Sequence, residues 1–243
     1  MKKSTSKIKI VNDTKGIPLA VITVLDEVIL LQKSDKKSSN ELFLSWSKNG
    51  VDFIRDSKKV SIKKINKKSE DIKDCYNFSI SRTPNGFAMA YFRKGTGRIK
   101  DRLVVARSLD MYKWDVKSEI VANDSEHAAV VYDKYKDKFE MYRDGLFIRN
   151  QASYSLSVWK EKPSLLFTSR VGQFDAGKIK IMGGTVTTDG ILLMYDASVE
   201  QKTKTLLQAG AVIFDTKDPR RIMWRGAMPV WQGVVDSNED TRP

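Results

Sequence analysis

The chain has 243 residues, of which 41% are hydrophobic, 9% aromatic and 30% charged, so it can bury the core of one all-β domain. The single cysteine, Cys75, and the single histidine, His127, exclude an intramolecular disulfide, a thiolate zinc cluster and any site that needs two imidazoles. No apolar run reaches the roughly 18 residues of a membrane span, and the basic N-terminus lacks the apolar part of a signal peptide. These features predict a cytoplasmic protein with no membrane partner.

The formal charge of +13 comes from 43 basic and 30 acidic residues. A field of that sign attracts phosphate, nucleic acid and anionic headgroups. Much of the excess lies in KKSTSKIK, KSDKK and KKVSIKKINKK, which are typical of a terminus and of loops or edge strands, where lysine discourages edge-to-edge pairing. A solvated surface is the preferred interpretation, and a polyanion-binding patch is the alternative. Nucleic acid is the weaker choice of partner because the chain has no stacked-aromatic motif.

Four segments share one pattern: a turn, a short apolar run, a polar loop, a second apolar run and then an aromatic residue. They are residues 26–53, 86–114, 137–159 and 190–224, which end in Phe53, Trp114, Trp159 and Trp224. Two short apolar runs joined by a polar loop predict a β-hairpin. Hairpins must pack on one another to be stable, so the repeat predicts a β-propeller with the aromatic side chains between blades. A two-sheet sandwich is the competing architecture.

Several stretches resemble motifs of glycoside hydrolase family 130, the β-mannoside phosphorylases and hydrolases. They are AVITVLDEVILLQKSD, HAAVVYDKYKDKFEMYRDG, FDAGKIKIMGGTVTTDGILLMYDA and LLQAGAVIFDTKDPRRIMWRGAMPVW. In the last stretch, the residues in step with the family motif are Gly210, Ala211, Asp215, Asp218, Pro219, Arg225 and Pro229. The resemblance covers roughly residues 16–232. It implies an all-β, five-bladed propeller that acts on β-linked mannosides. We expect no cofactor and no metal ion.

The resemblance also implies roles for individual residues. Arg143, Lys178 and Tyr195 match family positions that hold phosphate, and Arg and Lys suit a tetrahedral anion. His127 stands where the family has an asparagine, and an imidazole there would contact phosphate or a sugar hydroxyl. Asp175 matches an acceptor for a sugar hydroxyl.

Each of these residues also has a structural interpretation. Arg143 caps a blade edge in that interpretation, and Tyr195 is a packed strand aromatic. His127 is then a loop residue without a catalytic partner, and Asp175 is a turn residue. Lys178 and Lys180 share one face of a strand, where one of them faces only solvent.

The proton donor is where the sequence departs most from the family pattern. The family's general acid aligns with Asn77, and a carboxamide cannot donate a proton as a general acid at neutral pH. The nearest carboxylate is Asp74, which could stand in only if the strand were shifted. Asp196 replaces the histidine of a family Tyr-His-Gly motif and is the best remaining carboxylate, unless it is only a turn acceptor. Asn77, Asp74 and Asp196 are therefore the candidate catalytic positions.

The blade count is the second departure. After Trp224 only 19 residues remain, and they end in a polar tail, so about four blades are visible and the fifth is not. KIKIV near the N-terminus could add one closing strand. We expect residues 1–243 to form a single propeller domain, either as the N-terminal part of a longer protein or with blades divided differently. The expected function is binding or cleavage of a β-mannoside with phosphate as co-substrate; a non-catalytic carbohydrate- or protein-binding propeller is the alternative.

Overall fold

The computed structural model describes residues 16–35, 40–122, 124–145, 148–159, 164–201 and 203–236. Within these ranges the regular structure is β-strand, apart from one short 3₁₀ helix at Ile72–Asp74. None of the helical structure in these ranges is long and apolar enough to cross a membrane. The predicted closing strand KIKIV lies outside the described residues.

The first eight strands form two antiparallel blades of four strands each. Blade 1 contains β1 (Gly16–Val24), β2 (Glu27–Ser34), β3 (Leu42–Ser47) and β4 (Ile54–Lys63). Blade 2 contains β5 (Cys75–Thr83), β6 (Gly86–Arg93), β7 (Arg102–Ser108) and β8 (Lys113–Val121). The outer strands β4 and β8 pair in parallel, with Ile62 opposite Trp114, which joins the two blades into one sheet.

The later strands form two more blades. Blade 3 contains β9 (Ala128–Asp133), β10 (Lys138–Arg143), β11 (Ile148–Ser153) and β12 (Ser164–Phe167). Blade 4 contains β13 (Lys180–Val186), β14 (Ile191–Asp196), β15 (Val199–Glu200), β16 (Lys204–Phe214), β17 (Ile222–Arg225) and β18 (Trp231–Asp236). The long β16 pairs with β14 and β15 along one edge and with β17 and β18 along the other.

The first strand of each blade lies at the axis of the molecule. β1 packs beside β5, β5 beside β9 and β9 beside β13, while β13 also approaches β5 across the axis. Sheets that meet in this way through their first strands form a β-propeller, so the prediction of that fold is confirmed and the two-sheet sandwich is excluded. The described part of the chain holds four blades, and the fifth stays a prediction.

The middle strands are almost continuously apolar because both faces of a blade are covered by its neighbours. Successive side chains of a strand point to opposite faces. In β6, Met89 and Tyr91 enter the core shared with blade 1, whereas Ala88, Ala90 and Phe92 enter the core shared with blade 3. This two-sided burial explains why the repeat is visible in the sequence as paired apolar runs.

The predicted hairpins correspond to the second and third strands of blades 1 to 3 and to β14 and β16 of blade 4. The aromatic residues that follow them differ in burial. Trp114 is 1% exposed in the core between blades 1 and 2. Trp159 packs on the core between blades 2 and 3, where its Nε1 donates to Ser118 Oγ at 3.0 Å. For Trp224 the prediction is wrong: this side chain is 48% exposed on β17, because no blade follows blade 4 among the described residues.

Candidate active site at the propeller axis

A cavity of about 420 Å³ opens at the axis where the first strands of blades 2, 3 and 4 begin. Its polar lining includes Asn77 of β5, His127 just before β9, Lys180 of β13 and Asp196 at the end of β14. Leu19 and Trp231 supply apolar surface. We call this space the axial cavity. It gathers hydrogen-bonding and charged groups from blades 2, 3 and 4 around a volume suited to a small ligand.

Asn77 lies at an irregularity of β5, where the pairing with β6 shifts between Tyr76 and Ser79. Its backbone φ is 51°, in the left-handed region that asparagine adopts more readily than most residues. The side-chain Nδ2 donates to the backbone oxygen of Glu126 at 3.0 Å. The structure thus brings the position predicted for the acid to the axial cavity and ties it to the loop before β9.

His127 is held along one ring edge by the carboxylate of Asp144. Nδ1 lies 2.7 Å from Asp144 Oδ2, and Asp144 Oδ1 accepts from the backbone N–H groups of Glu126 at 2.8 Å and of His127 at 3.0 Å. Asp144 is completely buried, whereas 22% of the His127 side chain is exposed. His127 is therefore a loop residue, as one interpretation predicted, and a buried carboxylate is its hydrogen-bond partner.

Lys178 and Lys180 belong to different cavities. Lys178 precedes β13 and lines a neighbouring cavity of about 490 Å³, whereas Lys180 begins the strand and lines the axial cavity. The prediction that Lys178 and Lys180 share one face of a strand is therefore wrong. Lys178 Nζ lies 2.9 Å from Glu126 Oε2, and this hydrogen bond raises the pKa of Lys178. The Lys178 ammonium therefore lies beside the residue that precedes His127.

Asp196 is both a turn acceptor and a lining residue of the axial cavity. Its Oδ1 accepts from the backbone N–H of Ser198 at 2.8 Å and also from the Ser198 hydroxyl. In the register of blade 4, Asp196 lies opposite Lys180. Both interpretations of Asp196 from the sequence are thus compatible with its position.

Asp74 and Arg143 do not line the axial cavity. Asp74 ends the 3₁₀ helix with an exposed side chain outside the axial cavity, so it does not take the place of the acid. Arg143 is 4% exposed at the end of β10, opposite Arg149 of β11, and burial lowers its pKa. Among the described residues its Nε and Nη1 have no hydrogen-bond partner. The predicted phosphate contact of Arg143 is not supported by its position between packed strands.

Asp175 and Tyr195 form a buried network in blade 4 with two arginines. Asp175 accepts from Arg170 Nε at 2.9 Å, from Arg225 Nη2 at 2.6 Å and from the Tyr195 hydroxyl at 2.8 Å. Asp175 and Tyr195 are both 0% exposed. Burial raises the pKa of Asp175, but the hydrogen bonds from Arg170 and Tyr195 and the charge of Arg225 outweigh it, so the pKa lies below its usual range.

This network corrects two predicted roles. Asp175 is 0% exposed and its carboxylate is enclosed by two arginines and a tyrosine, so a sugar hydroxyl does not reach it. Tyr195 packs among the rings of Phe167 and Phe174 and is closed to phosphate. The structure therefore favours a structural role for the pair, which fixes the segment that leads into Lys178 and Lys180.

Gly210 lies directly against the ring of Tyr195, where there is no room for a larger side chain. It lies opposite Tyr195 in the pairing of β14 with β16, and a Cβ atom there would lie 2.3 Å from two carbons of the tyrosine ring. We expect Gly210→Ala to lower the free energy of unfolding by about 1–3 kcal/mol, since the hydrogen-bonded ring cannot move aside. Urea denaturation measures this change. Gly183→Ala is the control, because a Cβ at Gly183 meets nothing within 4 Å; equal losses in the two variants would contradict the prediction.

Two residues of the site were missed by the sequence reasoning. Asp144 stands before a glycine in YRDG and reads as an ordinary turn residue, although its place directly after a strand was a signal. In the sequence, Lys180 stands out only as a neighbour of Lys178 in KIK. Both enter the site through strand register, which the sequence alone does not give.

Sequence comparison finds no matching family model and no matching curated protein. Comparison of the structures does find similar folds. A glycosyl hydrolase from Bacteroides ovatus has a TM-score of 0.67 at 21% identity, over 88% of this chain and 71% of that chain. The β-1,2-mannobiose phosphorylase from Listeria innocua has a TM-score of 0.66 at 14% identity, over 89% and 76%.

A third similar structure comes from the family-130 mannoside phosphorylases, which contain glycoside hydrolases that target β-1,2-mannosidic linkages in Candida mannan. Its TM-score is 0.65 at 19% identity, over 88% of this chain and 71% of that chain. The resemblance noted in the sequence is therefore present in the structure. At these identities the likeness is one of fold: the chain is a β-propeller similar to those of glycoside hydrolases and mannoside phosphorylases.

Proposed function

We propose that the axial cavity binds a β-linked mannoside and cleaves its glycosidic bond, with phosphate as the attacking co-substrate. The observation that carries this proposal is the convergence of Asn77, His127, Lys180 and Asp196 on one cavity at the axis. The similarity of the fold to a β-1,2-mannobiose phosphorylase supports the choice of substrate. The cavity also falls within the usual range of small-ligand sites, about 300–1,000 Å³.

The chemistry requires a cation for the phosphate and hydrogen-bonding groups for the sugar. Lys180 presents an ammonium to the axial cavity, and Lys178 holds a second one nearby through Glu126. Lysine binds phosphate as a point charge. Asp196 and Asn77 offer a carboxylate and an amide to sugar hydroxyls.

The direct test is incubation with β-1,2- and β-1,4-mannobiose, with and without phosphate. A phosphorylase releases mannose 1-phosphate only when phosphate is present, whereas a hydrolase releases mannose in both cases. Calorimetric titration of each disaccharide measures binding separately from turnover. The proposal fails if no β-mannoside is either bound or turned over.

A non-catalytic carbohydrate-binding propeller is the second candidate function. The observation that favours it is the amide of Asn77, which faces the axial cavity and donates to Glu126 instead of carrying an acidic proton. In this case mannobiose binds and is recovered intact with or without phosphate.

The variant Asn77→Asp tests both the contact of Asn77, through its stability, and the two candidate functions, through its turnover. An ionised aspartate cannot donate to the oxygen of Glu126, so we expect a loss of about 0.5–1.5 kcal/mol in the free energy of unfolding at pH 7. The facing oxygen favours the protonated acid, which raises the pKa of the new carboxyl above that in the unfolded chain. The stability is therefore retained at low pH and lost as the pH rises.

Urea denaturation of the Asn77→Asp variant at pH 4 and pH 7 measures this difference, with the wild type at both values as the reference. Turnover is assayed alongside. If the wild type is a remodelled enzyme, we expect no gain in rate from the new carboxyl. Turnover that appears only in the variant would instead identify the wild type as a binding protein.

A further inference from the structure

We infer that His127, held by Asp144, transfers the proton to the leaving oxygen in the axial cavity. This inference rests on the proposed function, because it names the acid of that same site. Asn77 cannot supply the proton, and the imidazole is the side chain whose ordinary pKa lies nearest neutrality. The two positions are adjacent: Asn77 Nδ2 lies 3.0 Å from the backbone oxygen of Glu126, the residue before His127.

The contacts of Asp144 fix how the ring is protonated. As a carboxylate it only accepts hydrogen bonds, and it already accepts from two backbone N–H groups. Its 2.7 Å contact with His127 therefore requires a proton on Nδ1. This leaves Nε2 on the opposite ring edge. Because His127 lines the axial cavity, we place that free edge on the cavity side.

The burial of the Asp144 carboxylate suits the pair of His127 and Asp144 to proton transfer. Asp144 is 0% exposed, and hydrogen bonds from the backbone N–H groups of Glu126 and His127 hold it beside the ring. A buried carboxylate in this position orients an imidazole and stabilises the imidazolium without taking its proton.

Other charged groups lie on the elements that border the axial cavity or the loop of His127. These are Glu126 beside it in the loop, Lys178 paired with Glu126, Lys180 of β13, Asp196 at the end of β14 and Asp144 after β10. Glu126 already accepts from Lys178. Lys180 is a cation suited to phosphate, and Asp196 is an acceptor. His127 is thus the group in the axial cavity best suited to donate a proton near neutral pH.

The imidazolium donates its Nε2 proton to the glycosidic oxygen while the bond from that oxygen to the anomeric carbon breaks and its electron pair stays on the oxygen. A phosphate oxygen forms the new bond to the anomeric carbon, which gives the sugar 1-phosphate. The neutral imidazole then regains a proton from solvent. If water attacks instead, its proton passes to Asp196.

One measurement tests the pair without any substrate. His127 is the only histidine of the 243 residues, so an untagged protein labelled with ¹⁵N-histidine gives a single ring spectrum. In the neutral ring we expect the proton on Nδ1. In Asp144→Asn we expect this preference to change. A wild-type ring with its proton on Nε2 would overturn the inference.

The kinetic test uses leaving groups of different quality, because a general acid matters most when the leaving group is poor. For His127→Gln we expect kcat/KM on mannobiose to fall by about 10²- to 10⁴-fold. On an aryl mannoside with a dinitrophenolate leaving group, we expect kcat/KM of the same variant to fall little. Asp144→Asn should show the same selective loss. Asp133→Asn is the matched control: Asp133 is a buried carboxylate of the same blade that does not line the axial cavity, and we expect wild-type rates.

The outcomes separate the inference from the proposed function. A selective loss on mannobiose in folded His127→Gln, with binding retained, supports the inference. If that variant cleaves mannobiose at the wild-type rate, the inference is overturned and the proposed function stands. If the wild type cleaves no β-mannoside, the proposed function fails and the ring spectrum alone decides the pairing: a proton on Nδ1 supports it, and one on Nε2 overturns it.

Discussion

Replacing Asp175 with asparagine is expected to lower the free energy of unfolding by about 3–5 kcal/mol, because it removes the anion from a buried cluster with two cations. Asp175 is 0% exposed and bonds to Arg170, Arg225 and Tyr195. An asparagine keeps the shape of the side chain but leaves the guanidinium groups without a counter-charge. The same loss should loosen the segment that leads into Lys178.

Urea denaturation followed by tryptophan fluorescence measures the effect. Asp218→Asn is the matched control, since the pair between Asp218 and Arg220 is exposed on both sides and such pairs contribute little. We expect that variant to stay within about 0.5 kcal/mol of the wild type. Similar losses in Asp175→Asn and Asp218→Asn would show that the blade 4 network does not stabilise the fold.

The pH dependence of the two proteins should differ in a defined direction. The pKa of Asp175 is lowered in the folded state, so its contribution is fully present above the unfolded-state pKa of about 3.9. That contribution is lost as the pH falls through the lower, folded-state pKa. Between pH 7 and pH 2 the wild type should therefore lose more stability than Asp175→Asn. Unfolding curves at several pH values check this.

The middle hairpins of the blades could be predicted because they are buried on both faces and leave paired apolar runs in the sequence. The strands at the axis could not be predicted as easily. In β5 the run YNFSI contains the exposed Asn77 between the half-buried Tyr76 and the buried Phe78, and in β13 the run KIMGGTV contains two glycines. These strands border a polar cavity on one side, so their apolar pattern is interrupted where the site lies.

The candidate site was predicted in part for the same reason. Asn77, His127 and Asp196 do meet at the axis, because each stands at an end of a strand near it. Asp175 and Tyr195 look equally polar in the sequence, but strand register and the cationic partners Arg170 and Arg225 bury them. Which side chain a neighbouring strand covers depends on pairing between distant residues. A local motif does not contain that information.

Trp114→Ala is expected to cost about 3–5 kcal/mol in the free energy of unfolding, because it empties a large volume between two blades. Trp114 is 1% exposed, and its Nε1 donates to the backbone oxygen of Met111 at 2.7 Å. It also lies opposite Ile62 at the parallel junction of blades 1 and 2. Alanine would therefore create a cavity, leave a buried carbonyl unpaired and weaken the junction at once.

Trp224→Ala makes the comparison decisive, because the two tryptophans end equivalent repeats but differ in burial. Trp224 is 48% exposed, so its removal takes much less apolar surface out of contact. Urea denaturation of both variants should give a large loss for Trp114 and a small one for Trp224. Equal and large losses would mean that Trp224 is covered as Trp114 is, and hence that a further packing surface lies against blade 4. In a five-bladed ring, that surface of blade 4 would be the one that contacts the fifth blade.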